Sequence, residues 1–171
     1  NITAYEIRNA FPELPMVFLS HGVLPFLEQP PVLDLNIHRY LAVSEEVGEN
    51  LMAKGIDSAR IDLVPNLVDP DRFYEIRPVR QTPRSACVLS YKMAPEVKSL
   101  VVQACHRSGI AEVEFAGGSG AWRTQEELVQ FLNRADVVFS LGRGVIEAMF
   151  CGRIPIVFDN MGGDGLVTPD N

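Results

Sequence analysis

The residues best placed to do chemistry converge on one stretch, Ala135 to Gly163, in which Gly142-Arg143-Gly144 is followed by Glu147. A glycine-flanked turn that opens a helix suits an anion. The first N–H groups of a helix lack intrahelical acceptors and lie at the positive end of its dipole, and glycine lets a phosphate approach closely. Glu147 falls about one turn into that helix, where a carboxylate can accept hydrogen bonds from two adjacent hydroxyls such as those of a ribose. The same pattern also fits a plain α/β packing unit with a solvated Glu. Other candidates stand nearby in sequence or at strand ends. His21 closes the apolar run Met16-Val17-Phe18-Leu19, and Gly117-Gly118-Ser119-Gly120 is a second glycine-rich turn. Side chains just past the C-terminal end of a strand are where open α/β sheets meet their ligands.

These residues need elements to hold them. Val137-Val138-Phe139 reads as a strand, Val145 to Cys151 as a short helix stopped by Gly152, and Ile154 to Phe158 as a second buried strand, which together make a βαβ unit. Upstream, Ala86–Ser90 is a strand, Val97 to Arg107 a helix ended by Gly109, Glu112–Ala116 an alternating strand, and Thr124 caps a helix through Leu132. Strands alternating with helices predict a parallel sheet. The first part of the chain repeats the theme. A weak helix with Ile2, Tyr5 and Ile7 facing inward precedes the Met16–Leu19 strand, and His38 to Val43 is a strand entering a helix capped by Ser44. That helix stops at Gly55, ahead of the strand Ile61–Val64. Prolines at positions 25, 30 and 31 make residues 24–33 an irregular loop. Between Glu75 and Arg84, Pro78, Pro83 and several charges leave little to bury, so a linker is predicted at 77–84, between units 1–76 and 85–171. A linker of that kind is where limited proteolysis cuts first.

Of the 171 residues, 47% are hydrophobic and 22% charged, which is enough apolar material for one or two real cores. The net charge of −7 argues against broad nucleic-acid binding or attraction to an anionic membrane. No apolar run reaches the length of a membrane span and no leader pattern is visible, so a cytoplasmic protein is expected. Cys87, Cys105 and Cys151 have neither disulfide arithmetic nor metal-ligand spacing and read as reduced packing residues.

The stretch resembles the nucleotide-binding segment of the glycosyl transferases group 1, retaining enzymes built from two Rossmann-like domains in the GT-B arrangement. The resemblance rests on Ala135-Asp136-Val137-Val138, Glu147-Ala148-Met149, Gly152 with Pro155-Ile156-Val157, and Gly162-Gly163 in the next loop. It extends upstream through Ala42-Val43-Ser44, Gly55, Pro65-Asn66, Val68-Asp69 and Phe73. It implies an α/β, GT-B-like fold of two parallel-sheet units, each represented in part. By the same resemblance Glu147 holds the donor ribose, Gly142 to Gly144 lie against the diphosphate, and His21 faces the donor sugar.

Many members carry a second Glu where this chain has Phe139, and an Arg and a Lys where it has Tyr91 and Glu96. The short Gly142-Arg143-Gly144 turn is similar to a subset with a compressed loop, and Lys92, Lys98 or Arg143 would then supply the missing cations. The implied activity is sugar transfer from a nucleoside-diphosphate sugar to a carbohydrate, lipid-linked or other hydroxyl acceptor, with retention and without a metal ion or other cofactor. The implied setting is polysaccharide or glycoconjugate synthesis, cytoplasmic or peripheral at the inner membrane face. The implied enzyme is active at full length, with this piece inactive alone. A nonenzymatic nucleotide- or partner-binding module that kept the fold is the alternative. A nucleotide-sugar epimerase is a third reading, for which no acid/base carboxylates can be assigned.

Overall fold

A computed structural model describes residues 2–24, 29–33, 35–90, 93–116 and 124–169. Tyr91, Lys92, Gly117, Gly118 and the rest of the second glycine turn lie outside them. The chain divides into two compact units, residues 1–66 and 67–171.

The first unit contains α1 (Ile2–Ala10), β1 (Met16–Ser20), β2 (Ile37–Ala42), α2 (Glu45–Ala53) and β3 (Ile61–Leu63). Its sheet runs β1-β2-β3, all parallel. Ile37, Tyr40 and Ala42 of β2 pack with Val47 and Leu51 of α2 in one core. α2 starts where expected, because the Ser44 hydroxyl accepts from Val47 N at 3.3 Å. α1 sits differently from the expectation. Ala4 is its buried residue, while Ile2 and Ile7 are exposed and Tyr5 is half-buried. Arg8 sets this orientation by donating to the carbonyls of Pro12, Leu35 and Asn36, which turns the helix by its polar side chain.

The second unit contains β4 (Ser85–Leu89), α3 (Pro95–Arg107), β5 (Glu112–Ala116), α4 (Gln125–Arg134), β6 (Val137–Ser140), α5 (Arg143–Phe150), β7 (Ile154–Asp159) and β8 (Gly162–Leu166). The order is β5-β4-β6-β7-β8, with the first four strands parallel. Period-two alternation feeds two cores. Cys87 and Val138 join Phe131 and Leu132 on one side, while Ala86, Val88 and Val137 join Val101 and Cys105 on the other. Cys87, Cys105 and Cys151 are buried free thiols. α4 carries the expected cap and completes a capping box, with Thr124 N donating to Glu127 Oε2 at 2.7 Å and Glu127 N to Thr124 Oγ1 at 3.2 Å.

Gly162-Gly163 do not form a loop. They begin β8, which returns antiparallel to β7. Gly163 is required sterically, since a Cβ there would lie 2.1 Å from the Val157 carbonyl oxygen.

The boundary also differs from the expected 77–84. Residues 67–76 belong to the second unit, where Phe73 is 2% exposed in the core and Ile76 N donates to Asn133 Oδ1 at 2.8 Å. The charged segment that looks solvated in sequence is bound by Asp136, which is fully buried at the start of β6. Asp136 Oδ2 accepts from Arg80 Nη1 and Arg84 N, both at 2.9 Å, from Ser85 Oγ at 3.1 Å and from Ser85 N at 3.2 Å. Its Oδ1 faces Arg80 N at 3.3 Å and Arg77 Nη1 at 3.5 Å. Burial by itself would raise the Asp136 pKa. The backbone N–H groups of Arg84, Arg80 and Ser85 and the Arg80 guanidinium outweigh it and hold the carboxyl well below the usual range. Buried Arg153 closes the same region by donating to the carbonyls of Cys151, Ala135 and Arg77.

Replacing Asp136 with Ala strands these donors and is expected to lower unfolding free energy by about 3–5 kcal/mol in a urea titration. Because the folded pKa is depressed, this stabilisation is present above the ordinary Asp value and is lost as pH falls through the folded value, so Asp136→Asn should flatten the acid limb of the stability curve. Limited proteolysis should cut closer to Asn66–Leu67 than within 77–84. Early cleavage between Arg77 and Arg84 would contradict the packing described.

Candidate nucleotide site

The C-terminal ends of β4, β6 and β7 share one edge of the second sheet, because these strands are parallel. Ser140 ends β6, Gly142 is the N-cap of α5 with φ 53°, and no side chain caps the helix. That φ belongs to the left-handed region, so glycine is the residue that makes the turn without strain. α5 then lies tightly on β6. A Cβ on Gly144 would come within 2.2 Å of Ser140 Oγ and 3.4 Å of Leu89 Cδ1, so even Ala requires the Ser140 hydroxyl to rotate away. The opening of α5 is thus bare backbone pressed against the strand end. Gly144 N and Val145 N turn back to the Leu141 and Gly142 carbonyls at 3.2 and 3.1 Å. Among the described residues, the N–H groups of Gly142 and Arg143 have no bonded acceptor, so the donors available to an anion are fewer than a full first turn.

Glu147 lies at the middle of α5 and is 7% exposed. Its Oε1 accepts from Arg143 Nε at 2.8 Å, four residues earlier on the same helix. Burial raises the Glu147 pKa, and the charge and hydrogen bond of Arg143 work in the opposite direction without cancelling it. A buried carboxylate that is incompletely compensated, at the ligand-bearing edge of a parallel sheet, marks a candidate functional group. The structure therefore brings Gly142, Arg143, Gly144 and Glu147 together.

Of the other predicted residues, Lys98 and His21 are among the described ones. The Lys98 ammonium lies 5.5 Å from the centre of the Phe115 ring on the edge strand β5, with β4 between that strand and β6. His21 is exposed just after β1 in the first unit. Lys92, Gly117 and Gly118 lie outside the described residues. Phe139 is an interior residue of β6, opposite Ile156, and its ring meets Phe158 edge-on at 6.4 Å. Position 139 is therefore part of an apolar sheet face, where a carboxylate would be poorly solvated.

Sequence reasoning missed Asn160. Its Oδ1 accepts from Ala94 N at 2.8 Å, which ties the β7–β8 turn to the start of α3 and to the loop after β4. An Asn in a two-residue turn carries no long-range signal; the adjacent Gly162, with φ 96°, marked only the turn itself.

No family model and no curated protein sequence matches the chain. Solved structures do. Crystal structures of Anabaena Alr3699/HepE resemble it with UDP and glucose (TM-score 0.59, 16% identity) and with UDP-glucose (TM-score 0.58, 18% identity). A third, with UDP, gives TM-score 0.56 at 18% identity. The chain has a GT-B-like α/β fold. The match takes in 91% of this chain and 55% of the first of those structures, so the chain spans about half the length of the GT-B protein it matches. Its two parallel-sheet units agree with that architecture. Among the described residues, no helix is long and apolar enough to cross a membrane.

Since the folded pKa of Glu147 is raised, its contribution to stability is greatest below the ordinary Glu value and falls as pH rises through the folded value. Glu147→Gln should accordingly melt a few degrees above the parent near neutral pH, with the gap closing in acid. A parent more stable than Glu147→Gln at neutral pH would show that Arg143 fully compensates the buried charge.

Proposed function

We propose that the protein is a nucleotide-sugar glycosyltransferase that moves a sugar from a nucleoside diphosphate to a hydroxyl acceptor, with retention and without a metal ion. Glu147 carries this reading. It is a buried carboxylate on a short helix whose opening is bare glycine backbone, and it retains a raised pKa despite its Arg143 partner. A group held at such a cost gains from a ligand that supplies hydroxyl donors, and a ribose supplies two. In this reading the ribose lies on Glu147 and the diphosphate lies against the Gly142–Gly144 turn.

Charge grows on the departing diphosphate as the sugar–oxygen bond breaks, and fixed cations lower that barrier. Arg143 stands at the turn itself, Lys98 is on α3, and Lys98 or Lys92 would add to the positive charge. The Phe115 ring holds Lys98 toward β5, so Arg143 ranks first of the three. The resemblance also makes His21 a candidate contact to the sugar, and the glycine-rich sequence makes Gly117-Gly118 candidates for the phosphates. The donor is the substrate, and no separate cofactor enters the scheme. The likeness to HepE structures with UDP and UDP-glucose supports uridine nucleotides as the first donors to test. The acceptor is a carbohydrate, a lipid-linked sugar or another alcohol.

A nonenzymatic binding module has one observation in its favour, the packing of Phe139 against Phe158 where a sugar-contacting Glu is expected. The two readings part on turnover and agree on nucleotide binding. UDP at millimolar concentration should raise Tm by mass action, and Glu147→Ala should erase most of that rise while the protein still folds. No rise with UDP, GDP or ADP in the folded protein would remove the nucleotide site from both readings.

A further inference from the structure

Arg143 and Glu147 are joined by one bond but differ in surroundings. The Arg143 side chain is 61% exposed and that of Glu147 is 10% exposed. Arg143 can leave the pair by rotating about its own side-chain bonds in water, whereas Glu147 is held on the buried face of α5 beside Ala148, which is fully buried. Arg143 is also the first residue of α5, next to the glycine turn.

We propose that Arg143 is a switch between the two halves of a bound nucleotide: it pairs with Glu147 when the site is empty, and moves to the diphosphate when nucleotide binds, which releases the carboxylate to the ribose hydroxyls. This rests on reading α5 as the donor site. Ribose hydroxyls and the Arg143 guanidinium compete for a single carboxylate. The Arg143 bond occupies Oε1 at 2.8 Å, and two vicinal hydroxyls that each donate to the carboxylate are best served when both oxygens are available. A bare nucleoside must break the pair and leaves Arg143 with water alone. A nucleoside diphosphate breaks the same pair and then offers the guanidinium a phosphate, which matches its planar fork and is at least as good a partner as a carboxylate. Arg143 therefore does more than add affinity for phosphate: it also penalises ligands that bring a ribose without one. Because its first-turn N–H groups are partly turned back onto Leu141 and Gly142, α5 relies on this side chain for anion recognition more than an ordinary helix opening would.

Chemical-shift titration, which reads millimolar binding, tests this with UDP and uridine on the whole chain carrying Arg143, Arg143→Gln or Arg143→Lys. Arg143 is mostly exposed, so neither substitution should prevent folding. Arg143→Gln should weaken UDP by about tenfold or more and bind uridine severalfold more tightly than the parent. Arg143→Lys should recover part of the UDP affinity, since it keeps the charge and loses the fork. The opposite signs are the signature. Uridine affinity that is unchanged or reduced in Arg143→Gln overturns the switch, as does an unchanged UDP affinity. If UDP binds the parent and Glu147→Ala abolishes it while those signs are absent, the switch fails and the donor site stands. If the folded parent binds neither ligand, the donor-site reading fails and the switch falls with it.

Discussion

Asp136 is the interaction on which the second unit depends. A carboxylate with no solvent exposure is stable only when its lone pairs are filled, and here the filling groups come from the chain that leads into β4. Arg80, Arg84 and Ser85 are thereby pinned to the first residues of β6. The same contacts set the register of β4 against β6, where Ala86 faces Val137 and Val88 faces Phe139. A slip of one residue would turn both strands' side chains to the wrong cores. The far ends of these strands, Leu89 and Ser140, are the surfaces on which Gly144 rests. α5 thus rests on strand ends whose pairing is held at the opposite end of the sheet by the Asp136 contacts.

The site inverts that logic. At Asp136 every donor lowers the carboxyl pKa, and the buried charge is satisfied. At Glu147 burial dominates and a single exposed guanidinium answers it. The two buried carboxylates of this unit thus differ: Asp136 is saturated with donors, whereas Glu147 is bonded by one exposed guanidinium.

Much of this was legible in sequence where local signals act alone. Glycines at 142 and 152 bracket α5, and helix periodicity then puts Glu147 about a turn inside it, so the local arrangement of the candidate residues followed from short-range rules. The Ser44 and Thr124 caps were legible for the same reason. The failures are all long-range. Prolines and arginines between Glu75 and Arg84 have the composition of a solvated linker, yet Arg77 and Arg80 turn inward to a carboxylate more than fifty residues away. The one sequence sign was an Asp inside an apolar strand run. β8 was unreadable because Gly-Gly-Asp-Gly has no strand propensity and is held by backbone pairing to β7. In α1 the polar anchor Arg8 overrode the apolar residues Ile2 and Ile7.

The central claim is that Glu147 receives the ribose while the turn at Gly142 receives the diphosphate. A crystal structure of the protein grown with UDP addresses it most directly. Both ribose hydroxyls are expected within hydrogen-bond distance of the Glu147 carboxylate, the diphosphate against the start of α5, and Arg143 turned from Glu147 to phosphate. UDP bound elsewhere, or bound at α5 with the Arg143–Glu147 pair intact and the ribose facing solvent, would contradict it.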